Sequence, residues 1–246
     1  MKIFITGGSR GIGNNLVRAA LAQGHEVAFT YVDPGTDVDR LHREMAPGAP
    51  EAKVRGYRLD VREPAQVAEV VERVIDDFGT IDAVVNNAGI NQDNLAVSMS
   101  DQQWRAVIDT NLSGPFYVIR QFLPLFLSNR KGRFISISSV AGSGSSGQAN
   151  YSASKAGLVG LSASIAMEYG VKGITSNVVI AGMFDTDMTR ETLNPRLRRF
   201  WMDLCPLRRM GGLQELSEVI LFLASDQASF VTGQVIHVTG GLNWSA

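Results

Sequence analysis

Tyr151 and Lys155 stand four residues apart, in Tyr151-Ser152-Ala153-Ser154-Lys155, a spacing that puts both on one face of a helix. A free phenol titrates near pH ~10, too high for efficient acid–base work at neutral pH. An ammonium beside it favours the phenolate and lowers that value. The pair reads as a proton donor with its tuning cation, although Tyr and Lys also meet at this spacing by chance. A second signature lies near the other end of the chain, in Thr6-Gly7-Gly8-Ser9-Arg10-Gly11-Ile12-Gly13. Gly7, Gly11 and Gly13 permit a tight turn and close approach of backbone to a pyrophosphate. A helix opening there adds free N–H groups and positive potential. Ser9, Arg10 and Ile12 share that loop as candidate cofactor contacts. A purely structural turn is the alternative.

These residues need a scaffold, and the chain alternates short apolar runs with longer amphipathic ones. The pattern predicts strands at Lys2–Ile5, Glu26–Tyr31, Val54–Leu59, Ile81–Asn86, Arg133–Ser138, Thr175–Ile180 and Val235–Val238. Helices are expected at Gly11–Gln23, around Val38–Met45 inside the polar segment Asp33–Lys53, and at Pro64–Phe78, with Pro64 in the first turn and Gly79 just past the end. A long amphipathic helix is expected over Ser100–Arg130, with Ser100 or Asp101 as its cap. Two more follow at Tyr151–Tyr169 and Leu213–Ala224. Alternating strands and helices imply parallel pairing, because parallel strands need crossovers. Strands apolar on both faces imply helices on both sides. The expected fold is α/β: a doubly wound, Rossmann-type parallel sheet of seven strands in a single domain over residues 1–246.

Strand ends then supply the rest of a cofactor crevice. Asp60-Val61 closes strand three, and Asn86-Asn87-Ala88-Gly89 closes strand four. Asp60, Val61, Asn87, Ala88 and Gly89 are candidate contacts, with ordinary turn chemistry as the competing explanation. An NAD site usually offers an acid at the end of strand two for the ribose hydroxyls. Tyr31 occupies that place here, and Arg10 in the glycine loop can pair with a 2′-phosphate. NADPH is therefore expected over NADH. Asp33, two residues beyond Tyr31, argues the other way.

Composition closes off several classes. The net charge of −1 provides no basic field for nucleic acid or an anionic membrane surface. The arginine runs at 196, 198 and 199 and at 208 and 209 read as solvated surface. Cys205, followed by Pro206, is the single cysteine, so no intrachain disulfide can form; it reads as a small packed hydrophobe. His25, His42 and His237 lack metal-ligand spacing, and no metal site is expected. The first residues form a strand rather than a signal peptide, and no run is long enough to span a membrane. A cytoplasmic protein is the expectation.

The glycine loop, Asn86–Gly89, Asn111, Ser138/Ser139 and Tyr151/Lys155 together resemble the short-chain dehydrogenase/reductase family, over essentially the whole chain. Within it the resemblance is narrowest to the 3-oxoacyl-[acyl-carrier-protein] reductases. That rests on Asn87–Ile90 with Asp93-Asn94-Leu95, on Gly147–Tyr151, and on Phe230–Gln234 through Gly240-Gly241. Acetoacetyl-CoA reductases and polyketide ketoreductases look similar. The resemblance implies that Tyr151 protonates a carbonyl oxygen as hydride arrives from the nicotinamide. It implies that Lys155 lowers the tyrosine pKa and holds ribose hydroxyls, and that a serine at the end of strand five binds the substrate oxygen. Asn111, within the long fourth helix, would position a water that relays protons to Lys155.

Two departures stand out. The family's usual spacing to the tyrosine selects Ser138, whereas aligning strand five selects Ser139. Deletions are better tolerated in loops than in strands, which favours Ser139. The family usually has proline where Ala181 stands, before Gly182; alanine loosens that wall but removes no catalytic group. Thr186, in Asp185-Thr186-Asp187-Met188, keeps the position that contacts the carboxamide.

Residues 183–210 contain Met183, Phe184, Met188, Phe200, Trp201 and Met202. They suit a substrate lid over an acyl chain, or a helical pair packed on the core. Arg130, Lys131 and Lys172 are candidates for meeting an acidic carrier protein. The resemblance further implies a homotetramer, with Phe122, Leu161 and Ile165 as candidate contacts and packing in the core as the alternative. An NADPH-binding regulator without catalysis and a nucleic-acid-binding protein are the other classes. Retention of Asn111, Tyr151 and Lys155 argues against the first, and the absent basic field against the second.

Overall fold

A computed structural model of the chain describes residues 1–45, 54–186, 189 and 194–242. Seven parallel strands form one sheet: β1 (Lys2–Ile5), β2 (Glu26–Tyr31), β3 (Val54–Arg58), β4 (Ala83–Asn86), β5 (Gly132–Ser139), β6 (Ile174–Ala181) and β7 (Val235–Val238). Their spatial order is β3-β2-β1-β4-β5-β6-β7. The order reverses between β1 and β4, the switch point where a crevice opens at the carboxyl ends. The expected doubly wound sheet is the observed one.

Side chains alternate along each strand into two cores. Ile3 and Ile5 of β1 face one core with Leu16 and Val17 of α1 (Gly11–Ala22) and Leu216 and Ile220 of a late helix. Phe4 faces the other with Val70 and Val74 of α3 (Pro64–Phe78). The short α2 (Val38–Met45) lies on the α1 side, where Met45 is buried. Lys53 of the polar segment lies outside the described residues.

The stretch expected as one helix from Ser100 to Arg130 is instead α4 (Asp101–Ile108), a π turn (Asp109–Ser113) and α5 (Gly114–Asn129). Ser100 does cap it: its hydroxyl accepts the Gln103 N–H at 3.1 Å, and Gln103 Oε1 takes the Ser100 N–H at 2.9 Å. Pro115 explains the interruption. It has no N–H to give the carbonyl four residues back, that of Asn111, so an unbroken α ladder cannot pass. The N–H of Gly114 bonds Asp109 O instead, one residue further away than in an α-helix. Phe122 and Phe126 then anchor α5 to the sheet through Phe4 and Phe134, with ring centroids 5.0 and 4.9 Å apart respectively.

The remaining helices are α6 (Ala149–Tyr169), α7 (Pro195–Leu204) and α8 (Leu213–Ala224). Among the described residues no helix is long and apolar enough to cross a membrane. Cys205 is buried, its sulfur 3.3 Å from the carbonyl oxygen of Gly240.

Candidate active site

The course of the glycine loop is fixed by its neighbours. Gly7 and Gly11 take left-handed φ of 68° and 56°. Gly13 leaves no room for a side chain, since a Cβ there would lie 2.1 Å from the Gly7 carbonyl oxygen. Gly8, which the sequence reading passed over, is as constrained: its Cβ would lie 2.6 Å from that of Phe29. Thr30 takes the Gly7 N–H on its hydroxyl at 3.1 Å and the Gly8 N–H on its carbonyl at 2.8 Å. The Thr6 hydroxyl oxygen accepts the N–H groups of Asn87 and Ala88, each at 3.0 Å. Thr6 and Thr30 also escaped the sequence reading. Both sit in strands or at strand ends, where their partners become known only once the strands are paired.

The ladder of α1 starts with the Asn14 N–H donating to Arg10 O at 3.2 Å. No side chain caps this helix, and no acid stands in its first turn. The N–H groups of the first turn, around Gly11, Ile12 and Gly13, are open to an anion. Ser9 lies just before them, its carbonyl taking the Asn14 amide at 3.2 Å. A Cβ on Gly11 would find only Thr186 Cβ, 4.0 Å away, so Thr186 overhangs an open cradle. Thr186 is fixed there by its N–H donating to Thr189 Oγ1 at 2.8 Å.

Around the rim, Arg10 is exposed and extended, and Tyr31 is partly buried. The Asp33 carboxylate accepts the Gly35 N–H at 2.8 Å, which ties it into its own turn. Asp60 accepts from Arg62, both from the N–H at 3.1 Å and from Nε at 2.9 Å. That pairing holds its carboxyl below the usual range. Val61 is buried against Gly114, where a Cβ would come within 2.8 Å of it. At Gly182 a Cβ would lie 2.6 Å from Thr239 Cα, so glycine there also lets two strand ends close up. Ala181 is buried between Ser139 and Val238 in the strand register.

Tyr151 and Lys155 project from the first turns of α6. Asn150 locks that end, its amide donating to the carbonyls of Gln92 at 3.0 Å and Gln103 at 3.2 Å. Lys155 is 5% exposed, donates from Nζ to Ile137 O at 2.7 Å, and lies 5.6 Å from the centre of the Tyr151 ring. Burial lowers its pKa to about 8. Burial also raises the Tyr151 phenol above its ordinary value, and hydrogen bonding with the Ser139 hydroxyl opposes the rise. Burial of Tyr151 is the largest influence on its phenol, and it works in the direction opposite to the lowering expected from Lys155.

The two serines of β5 part ways. Ser138 is buried and its hydroxyl donates to Lys155 O at 2.9 Å. Ser139, one residue on, faces the crevice; its oxygen accepts the Ala141 N–H at 3.2 Å, and its O–H is directed toward the Tyr151 phenol. Asn111 lies in the π turn, not within a continuous helix. Its Oδ1 accepts the Ile90 N–H at 2.9 Å, and its amide donates to Ile90 O at 2.9 Å and to Ser154 Oγ at 3.1 Å. Gly89 stands between the two polar groups: a Cβ there would be 3.3 Å from Asn111 Oδ1 and 3.5 Å from Lys155 Nζ. The structure thus gathers Asn111, Ser139, Tyr151 and Lys155 at the end of β4 and β5.

Other candidates fall elsewhere. Arg130, Lys131 and Lys172 precede β5 and β6, at the amino edge of the sheet, whereas the crevice is at the carboxyl edge. An eight-residue β5 separates the two by roughly 26 Å. Lys131 is moreover paired with Asp226 at 2.8 Å. Phe122 and Ile165, considered as contacts between copies, are core residues. Leu161 instead lines a surface groove with Leu112, Phe116 and Tyr117. In the lid region, Trp201 of α7 packs with Val140 and Leu242, and Met183 and Met202 lie against them. Asp187 and Met188 lie outside the described residues.

A family model described as enoyl-(acyl carrier protein) reductase matches residues 7–243. The chain is similar to the 3-oxoacyl-[acyl-carrier-protein] reductase of Escherichia coli (strain K12), 41% identical over 240 residues that cover 97% of this chain and 96% of the relative. It is 39% identical over 241 residues to the enzyme of that description in Staphylococcus aureus (strain Mu50), with 97% and 96% covered. The corresponding figures for Staphylococcus epidermidis (strain ATCC 35984) are 38% over 240 residues, with 97% of each covered.

Proposed function

The chain belongs to the short-chain dehydrogenase/reductase family, and from that membership we propose that it reduces a 3-oxoacyl thioester, carried on acyl carrier protein, to the 3-hydroxyacyl thioester with NADPH. The observation that carries the reading is the convergence of Tyr151 and buried Lys155, 5.6 Å from ring centre to Nζ, with Asn111 and with Ser139 at the end of β5. Two hydroxyl donors at one point suit a carbonyl oxygen on which negative charge develops. The matching family model is described by an enoyl reductase and the relatives by 3-oxoacyl reductases; the paired hydroxyls favour the ketone.

The residues fit a dinucleotide phosphate. The uncapped first turn of α1 and the open space before Gly11 would hold the pyrophosphate, with Gly7, Ser9, Ile12 and Gly13 shaping the loop. Arg10 and Tyr31 would meet the 2′-phosphate; Asp60, Val61, Asn87, Ala88 and Gly89 would flank the adenosine and ribose; Gly182 and Thr186 would border the carboxamide. The nicotinamide, when bound, supplies the hydride. Tyr151 then gives its phenolic proton to the new alkoxide. Burial keeps that phenol protonated at neutral pH, the state a reduction needs. Ser139 donates its O–H to the same oxygen. Lys155, oriented by Ile137 O, holds ribose hydroxyls, and Asn111 positions the path by which the proton returns. Residues 183–210 act as a lid within one domain spanning 1–246, Trp201 being its anchor. The protein works in the cytoplasm as a homotetramer, the groove at Leu161, Phe116 and Tyr117 supplying one apolar contact. Carrier docking through Arg130 and Lys172 would require a second copy, since these lie at the far edge of their own sheet.

Loss of nicotinamide absorbance with purified protein and an acetoacetyl thioester tests the reading. NADPH should be consumed rapidly, NADH slowly, and a crotonyl thioester should not turn over. Turnover of crotonyl but not acetoacetyl thioester would overturn it. Binding of NADPH without turnover of any ketone would point to a regulator.

A further inference from the structure

β2 and β3 pair in parallel with Tyr31 opposite Arg58. Residues in register on adjacent strands leave the sheet on the same face. Alternation along β3 identifies that face. Tyr57 is in the core under α3, while Gly56 backs onto Phe29 and onto Val38 of α2. Arg58 therefore emerges on the α1–α2 side next to Tyr31, at the carboxyl edge where the adenosine half of a dinucleotide lies. Its side chain is exposed and has no hydrogen-bond or ion-pair partner among the described residues, and the same is true of Arg10 across the crevice.

The neighbouring acids are already engaged. Asp33 is tied to the Gly35 N–H, Asp60 to Arg62, and Glu44 of α2 to Arg40 at 2.6 Å. The edge formed by β2 and β3 thus presents the uncommitted guanidinium group of Arg58, with that of Arg10 in the loop after β1, and no uncommitted acid from these three positions. A phosphate monoester carries a charge of about −1.5 to −2 near neutral pH, more than one guanidinium neutralises. Resting on the NADPH reading above, we infer that Arg58 is a second cationic arm for the adenosine 2′-phosphate, acting with Arg10 to set cofactor choice.

Calorimetric titration of the full-length protein with 2′,5′-ADP and with 5′-ADP tests this without turnover. The wild-type protein should prefer 2′,5′-ADP. Arg58→Ala should weaken 2′,5′-ADP about tenfold, the size expected for one charge-assisted contact, and leave 5′-ADP unchanged. Arg58→Lys should recover part of the loss, and Arg58→Glu should deepen it. Unchanged discrimination in Arg58→Ala, with discrimination lost in Arg10→Ala, would overturn the role of Arg58 and spare the NADPH reading. Equal weakening of both ligands would mark Arg58 as structural and overturn the inference. A wild-type protein that does not distinguish the two ligands would remove the NADPH reading and this inference with it.

Discussion

The side-chain amide of Asn87 donates to the carbonyl oxygens of both Thr6 and Gly7, at 2.9 and 3.0 Å. The loop after β4 thereby holds the loop after β1 across the switch point. Each bond is to a backbone acceptor that has few alternatives in this partly buried place. Asn87→Ala should destabilise the protein by about 1–3 kcal/mol, the usual penalty for stranding buried acceptors. NADPH binding should weaken as the glycine loop relaxes. Urea unfolding and fluorescence titration would measure the two; an unchanged midpoint with unchanged binding would refute the clamp.

Tyr151→Phe removes one oxygen and leaves the ring in place. Turnover of an acetoacetyl thioester should fall by about 10²–10⁴-fold, the usual contribution of a positioned acid. NADPH binding should change little, because the glycine loop and Lys155 remain. A variant that keeps more than a tenth of the wild-type rate would show that another group protonates the substrate.

Ser138 and Ser139 separate by partner. Ser139→Ala should lower kcat by about 10²–10³-fold, as loss of one donor to a developing oxyanion does. Ser138→Ala should cost about 1 kcal/mol of stability through the lost bond to Lys155 O, with kcat nearly intact. Paired kinetics and denaturation curves decide; the reverse pattern would transfer the donor role to Ser138.

Lys155 makes the stability of the cofactor-free protein depend on pH. Its folded-state pKa is lowered from 10.5 to about 8, so between these values the unfolded chain binds the proton more readily. Stability should therefore rise as pH increases from about 8 toward 10, by up to roughly 3 kcal/mol. The raised Tyr151 acts oppositely only above its ordinary value of 10. Unfolding free energies across this range should show the rise in the wild-type protein and its absence in Lys155→Met. A variant with the same slope would assign the effect to another group.

Much of the fold was legible because its signals are local. Apolar runs bounded by Gly and Asp marked all seven strands to within about two residues at either end. Pro64 and Gly79 bracketed α3 correctly. Hydrophobic period predicts one unbroken helix from Ser100 to Arg130, but period carries no information on the backbone N–H that Pro115 lacks and the Asn111 carbonyl would need, so the stretch divides at the π turn. Hydrophobic period likewise left Phe122 and Ile165 open between contacts with another copy and the core, since period alone does not say which apolar stripe meets the sheet; burial places both in the core.

By itself, the sequence determined the alternation of strands and helices, the glycine loop that opens α1, and the Tyr151–Lys155 spacing, because each depends on residues within a turn or two of one another. The tertiary structure alone decided how those pieces meet. Strand pairing set Tyr31 beside Arg58 and brought Thr6 to Asn87, contacts between residues 27 and 81 positions apart. Burial, which no local pattern measures, decided that Lys155 falls and Tyr151 rises in pKa. The turn of the backbone at the end of β5 decided which of two adjacent serines faces the crevice, since neighbouring strand residues point to opposite sides.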